Sequence, residues 1–229
     1  MDLTLYLGNR SYSSWSMRIG LLIARFALPV DLRFIDFADP VGVAGLLARE
    51  GLSPARTVPT LLTQDGAVVG ESLAIAEELA DRFPSSELWP SNPRSRATAR
   101  ALAAEMHAGF EALRNACPMN LRVAYDGFEP DPAVCADLLR IESLWVSARA
   151  ACLPKGPWLC GEYSIADAFF APVAARIATY DLPVGEAASA YVSAHLADPA
   201  FQSWRRAGLA EGTDLKRYAM ELATRQWPS

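Results

Sequence analysis

The first half of this chain has little redox or metal chemistry to draw on. No cysteine precedes Cys117, and the four present (Cys117, Cys135, Cys152 and Cys160) form no CxxC pair. Thiol–disulfide exchange at an early active-site loop is thereby disfavoured, because a hydroxyl cannot enter a mixed disulfide. Buried, reduced thiols are the expectation. The only histidines are His107 and His195, too few to suggest zinc, and no metal is expected. No apolar run approaches the roughly 20 residues that span a bilayer. A net charge of -5 and the lack of any Lys/Arg cluster argue against nucleic acid or an anionic membrane as partner. Met1 to Leu7 alternates as a strand does and carries no basic segment followed by a long apolar one, so a cytoplasmic setting is expected. What remains is an ordinary globular composition. The 229 residues are 52% apolar and 21% charged, enough for one large domain or two modest ones.

Strand and helix patterns alternate over the first eighty or so residues. Leu3, Leu5 and Leu7 face one way in a first strand. Trp15, Ile19, Leu22 and Phe26 then recur at helical spacing before Pro29. Leu32, Phe34 and Ile35 suggest a second strand, joined to the first through that helix as a crossover. Val41 to Glu50 reads as a short helix. Thr60 to Leu62 and Ala67 to Gly70 read as a hairpin turning at Asp65-Gly66, and a third helix starts at Ser72. The order βαβ(α)ββα is that of an α/β, thioredoxin-like domain over 1–83. Prolines 84, 90 and 93 mark a linker over 84–93. Beyond it only helical patterns are visible, so 94–229 is expected to be all-helical. One helix is expected from Arg94 to Ala116, another from Pro132 to Cys152 and a third from Ser164 to Tyr180.

Four features bear on chemistry. Val58-Pro59 precedes the hairpin and can present the Val58 backbone N–H and C=O to an extended, peptide-like ligand. Glu71-Ser72 follows the hairpin at a helix start, offering a carboxylate for an ammonium and a hydroxyl with helix N-terminal amides for a carboxylate. Ser164-Ile165-Ala166-Asp167, after Gly161, has the spacing of a capping box, a folding signal. The loop from Gly8 to Arg18 places several hydroxyls at the first helix's N-terminus, where one could face a sulfur lying beside Pro59. Hydrogen bonding and the positive end of a helix both favour a thiolate. Arg18 is expected to form a structural ion pair with an acid of the third helix. The second-substrate pocket is expected between the first loop and the fourth helix, with His107, Phe110, Glu111, Arg114, Met119 and Tyr125 as candidates, while Trp204 and Trp227 read as packing residues.

Taken together these residues resemble the cytosolic glutathione transferase superfamily over nearly the whole chain. The resemblance implies that Val58-Pro59 binds the cysteinyl backbone of glutathione and that Glu71 and Ser72 hold its γ-glutamyl end. Leu88-Trp89-Pro90 with Arg94 and Arg96 is similar to the interdomain linker and the start of the fourth helix. Ser11-Tyr12-Ser13-Ser14-Trp15-Ser16-Met17-Arg18 looks most like the zeta-class loop Ser-Ser-Cys-Ser-Trp-Arg-Val-Arg. Ser11 then falls on the serine credited with thiolate stabilisation, Tyr12 on the second serine and Ser13 on the cysteine. The hydroxyl candidates rank Ser11, then Ser14, then Tyr12. Pro54-Ala55-Arg56-Thr57-Val58-Pro59 resembles the zeta stretch Pro-Met-Lys-Gln-Val-Pro, which gives Arg56 a place near the glycyl end.

The resemblance implies a homodimeric, detoxification-type transferase with glutathione as cosubstrate, adding its thiolate to a small apolar electrophile. Its rivals are a glutathione-dependent cis–trans isomerase like maleylacetoacetate isomerase, and a non-catalytic interaction module.

Overall fold

The computed structural model describes residues 3–212 and 214–228, which leaves Met1 and Asp2 of the first strand pattern outside the described residues. Strand β1 (Leu3–Gly8) pairs in parallel with β2 (Val30–Ile35), in register from Leu3↔Val30 to Gly8↔Ile35. The crossover between them is α1 (Ser14–Phe26), which ends at Ala27 in a left-handed conformation whose N–H bonds the Ile23 carbonyl. After α2 (Gly42–Arg49), the hairpin of β3 (Thr60–Leu62) and β4 (Val68–Val69) joins the other side of β1 antiparallel. The sheet order is β2-β1-β3-β4. Leu3, Leu5, Leu7 and Leu61 bury one face of this sheet with Ile19 and Leu22 of α1 and with Ile75 and Leu79 of α3 (Ser72–Arg82).

The stretch expected as a linker is packed rather than free. A short 3-10 turn (Pro84–Ser86) leads to buried Leu88 and Trp89; the Trp89 indole donates to Glu77, and Leu88 C=O accepts from Ile165 N–H. Asn92 then caps α4 (Pro93–Ala108) through Arg94 and Ser95 N–H groups, with Pro93 in the first turn, where a missing N–H costs nothing.

The single helix expected from Arg94 to Ala116 is two. The chain breaks at Gly109 and at Phe110, which holds a φ of 60°, before α5 (Glu111–Ala116). Asp137 of α6 (Pro132–Cys152) accepts from the Leu113 N–H at 2.9 Å, taking up a donor that the broken helix leaves free. Apolar residues keep helical spacing across the break, which conceals it in the sequence. The expectation that no strand follows residue 93 is also corrected: β5 (Ala124–Tyr125) pairs antiparallel with β6 (Thr224–Arg225). Two residues per strand are too few to show a period.

All sixteen residues of α7 (Ile165–Tyr180) are buried, making it the axis of the helical part. The Ser164–Asp167 capping box forms. Asp167 also accepts from Leu159 N–H and the Tyr191 hydroxyl, and burial lifts its pKa to about 6. Helices α8 (Glu186–Ala197) and α9 (Pro199–Ala210) close the bundle, and α1 packs on both α7 and α9. A single buried cluster therefore runs from Leu3 to Trp204. No helix among the described residues is long and apolar enough to cross a membrane. The four thiols are free; Cys117 and Cys160 are buried, whereas Cys135 and Cys152 are half-buried.

Candidate active site

Two adjoining cavities lie where α1 starts, with Trp15, Thr57 and Val58 in the walls of both. The smaller, about 200 Å³, is completed by Pro59, Glu71 and Ser72. The chain after the hairpin thus returns beside the chain before it, and the residues singled out for a peptide-like ligand meet. Val58 is buried, and its backbone N–H and C=O have no hydrogen-bond partner among the described residues. Its bond to Pro59 is cis. Glu71 sits at φ 63°, ψ 123°, a conformation costing an L-residue about 1–3 kcal/mol. That geometry leaves its side chain 71% exposed at the cavity rim, 3.6 Å from the His107 ring.

Behind this small cavity stands Arg18, 2% exposed and without a carboxylate partner among the described residues. The expected ion pair with an acid of α3 is therefore replaced by other contacts. One guanidinium nitrogen lies 3.5 Å from the Ser72 hydroxyl and another donates to Met106 C=O, while the plane covers the Trp15 and Phe169 rings at 4.1 and 4.7 Å. Burial, then Arg176 and Arg114, pull its pKa well down. A buried cation without a counter-ion leaves the local potential positive.

The larger cavity, about 510 Å³, is walled by the first loop, by Phe37 and Val43, by α5 and by α7. Tyr12, Ser13 and Ser14 line it, and Ser11 does not. Ser11 is buried with an unpartnered hydroxyl that faces Gly208 of α9 so closely that a Cβ there would come within 2.8 Å of it. The loop needs Ser11 as a seal against α9, with Leu121 N–H on its carbonyl. The Tyr12 hydroxyl accepts from Leu215 N–H and its ring stacks on Tyr218, which ties down the C-terminal segment; burial raises its pKa. Ser14 accepts from Arg176 at 3.5 Å.

Ser13, which falls on the cysteine of the zeta-like loop and lies outside the ranking of Ser11, Ser14 and Tyr12, caps α1. Its side chain accepts from Ser16 N–H, and its hydroxyl donates at 2.7 Å to the Ser16 hydroxyl, which also accepts from Gly8 N–H. For the Ser13 proton to reach a sulfur in the cavity that hydroxyl pair has to reverse, with Ser16 donating to Ser13, as a hydroxyl rotor allows. The signal that could have found Ser13 is a serine just before a helical apolar pattern, the ordinary N-cap preference.

Three arginines face the larger cavity: Arg56 on its exposed rim, Arg114 on α5 and Arg176 on α7, against one acid, Glu111. Arg176 is buried, donates to the Cys117 carbonyl at 2.8 Å, and has its pKa lowered to about 10 by desolvation. Sequence reading missed it because an arginine inside an otherwise apolar helix gives no hint of which face it occupies. Of the residues suggested for this wall, Glu111, Arg114 and Met119 line it. His107 instead packs edge-on to Trp15, and Phe110 and Tyr125 are core. The His107 pKa is lowered, first by burial and then by Arg18, with Glu71 opposing. Among the described residues no cluster of three metal-ligating side chains occurs.

A sheet of order 2-1-3-4 with a proline-led hairpin, sealed by a helical bundle around α7, is the glutathione transferase fold. A Burkholderia glutathione transferase homologue crystallised with glutathione superposes with a TM-score of 0.65 at 24% identity, over 92% of this chain and 100% of that one. The family described as "Glutathione S-transferase, N-terminal domain" matches residues 12–82. A probable maleylacetoacetate isomerase of Caenorhabditis elegans is 34% identical over 111 residues, covering 48% of this chain and 49% of that protein. The maleylacetoacetate isomerase of Pseudomonas aeruginosa is 35% identical over 120 residues, covering 51% and 54%. The match thus spans about half the length of these curated relatives. Residues 12–82 thus match the glutathione S-transferase N-terminal family, and the chain as a whole carries the glutathione transferase fold.

Proposed function

We propose that this protein binds glutathione across the two cavities and activates its thiol for attack on an electrophile that carries a carboxylate. In this reading the γ-glutamyl end occupies the smaller cavity. Its ammonium meets exposed Glu71, and its carboxylate meets Ser72 and the first amides of α3, with the Arg18 guanidinium behind them. The cysteinyl unit pairs with the free Val58 backbone groups, which brings its sulfur to the start of α1. There the Ser13 hydroxyl and the positive helix end hold the thiolate, with Ser14 as the neighbouring hydroxyl. Ser11 carries no such role, since its side chain faces α9.

The observation that carries the substrate class is the arginine-lined 510 Å³ cavity beside Ser13. Arg114 and Arg176 outnumber the single acid there and suit a small unsaturated acid better than the apolar electrophile expected from the sequence. The thiolate adds to the carbon–carbon double bond, and the arginines hold the carboxylate and the enolate charge that addition develops. If the adduct is protonated and released, the enzyme is a transferase; if it rotates and expels the thiolate, the enzyme is a cis–trans isomerase and glutathione is regenerated. The arginine pair, with the curated relatives' activity, favours the isomerase.

Parallel assays decide between them: conjugation of a chlorodinitrobenzene-type electrophile, and glutathione-dependent isomerisation of maleylacetoacetate. Isomerisation well above conjugation, reduced about 10²-fold or more by Arg176→Leu, is the expected result. Conjugation of neutral electrophiles alone, insensitive to that substitution, would overturn the anionic-substrate reading.

A further inference from the structure

Among the described residues five large apolar side chains are exposed, and the three most exposed, Leu139 (68%), Val146 (58%) and Leu153 (78%), stand at seven-residue intervals along α6 and its cap. Three residues before each of them stand Ala136, Ser143 and Ala150, all exposed. The six positions 136, 139, 143, 146, 150 and 153 follow the alternating spacing of three and four that makes a helix-pairing seam. The seam bears no charge, and the core-facing side of α6 is filled separately by Val134, Leu138, Ile141, Trp145 and Ala148. The helix therefore has two apolar faces, one of them unpartnered within the chain.

The order of sizes along the seam says what covers it. Laid antiparallel on a copy of itself about a two-fold axis between Ser143 and Val146, every large side chain meets a small one. Leu139 faces the partner subunit's Ala150, Val146 faces the partner subunit's Ser143, and Leu153 faces the partner subunit's Ala136. Each contact is repeated by the symmetry, as an isologous interface requires. In the same register Glu142 lies within about 3 Å, along the axis, of the partner subunit's Arg149. Each is held in its own chain, Glu142 by Gly185 N–H and Arg149 by the carbonyls of Gly156, Pro157 and Trp158, so the flank sets opposite rather than like charges side by side. Arg140, on the other flank, passes the partner subunit's Ser147 without meeting a like charge.

We infer that the outer face of α6 is a self-association surface, on which two copies of this chain pair antiparallel through Leu139, Val146 and Leu153. The seam is about 26 Å long, short beside interfaces that bury roughly 1,600 Å², so the pairing is reversible and depends on concentration. It does not require the contact between unlike domains that family resemblance implies. If that contact also forms, the α6 seam joins its dimers into tetramers.

Sedimentation velocity of the full chain over a hundredfold concentration range is the first test. The largest assembly should halve in size with Val146→Glu, which sets two carboxylates beside the axis. Because a surface variant can fail for other reasons, Ser143→Cys with Val146→Cys gives a second reading. Mild oxidation should convert it to a covalent dimer well above the background of wild type and of Ser203→Cys. A size unaltered by Val146→Glu together with no cross-link above background would overturn the inference, and so would a wild type monomeric throughout. None of these outcomes depends on glutathione binding.

Discussion

At the residue scale the account turns on which hydroxyl meets the sulfur. Ser13 is on the cavity wall at the end of α1, and Ser16 supports it from behind. Ser13→Ala should raise the bound thiol's pKa by about one unit and lower turnover about 10- to 100-fold, with glutathione affinity little altered. Ser16→Ala should move both in the same direction by less. Ser11→Ala should leave both unchanged and cost no stability, because the hydroxyl it removes is buried without a partner. A matched loss of activity in Ser11→Ala would return the role to the residue that the zeta-like pattern selects. Glu71 allows a sharper separation of stability from function. Glycine suits its left-handed backbone, so Glu71→Gly should relieve up to about 1 kcal/mol of strain while weakening glutathione binding. Thermal melts and calorimetric titrations of the same protein should move in opposite directions.

At the element scale the break between α4 and α5 shapes the larger cavity, since Glu111, Arg114 and Asn115 reach it only from the redirected α5. The Asp137 bond to Leu113 N–H holds that turn. Removing it with Asp137→Ala should cost about 1–3 kcal/mol, the penalty for a stranded buried donor, and should raise KM for the second substrate more than it lowers glutathione affinity. Denaturant unfolding beside steady-state kinetics measures both. The same elements show how much of the fold the sequence revealed. The order β1-α1-β2, the hairpin and the Ser164 cap were legible because each is a local pattern: a period of two, a period near 3.6, or a capping residue. The Gly109 break was not, because buried Leu102, Met106, Phe110 and Leu113 keep helical spacing across it. Val58, Pro59, Glu71 and Ser72 could be gathered from sequence because a single hairpin separates them. Ser13's advantage over Ser11 and the inward face of Arg176 depend on how α9 and α7 press against α1, contacts more than 150 residues apart in the chain.

At the scale of the whole molecule, one core couples the sheet to the bundle, and its buried ionisable groups set how stability answers pH. His195 is enclosed by Trp158, Tyr163 and Tyr191, with Nε2 unpartnered, and burial depresses its pKa to about 3. The unfolded chain takes up that proton near pH 6.5, the native chain only near 3, so this group's stabilising contribution is full above pH 6.5 and drains away as pH falls toward 3. Asp167 has the opposite sign. Its native pKa of about 6 exceeds the ordinary 3.8, so its contribution is full below about pH 3.8 and is lost as pH rises through 6. His195→Phe should therefore shift the acid unfolding midpoint down by roughly half a unit. A midpoint at or above that of wild type would contradict the buried, neutral imidazole.

The central claim is that a glutathione sulfur lies ionised at the N-terminus of α1, and the absorbance of bound glutathione thiolate as a function of pH tests it most directly. Wild type should titrate about two units below the ordinary thiol value of about 8.5, and Ser13→Ala should titrate above wild type. No thiolate signal when glutathione saturates folded protein, or a titration at the value for free thiol, would contradict the claim.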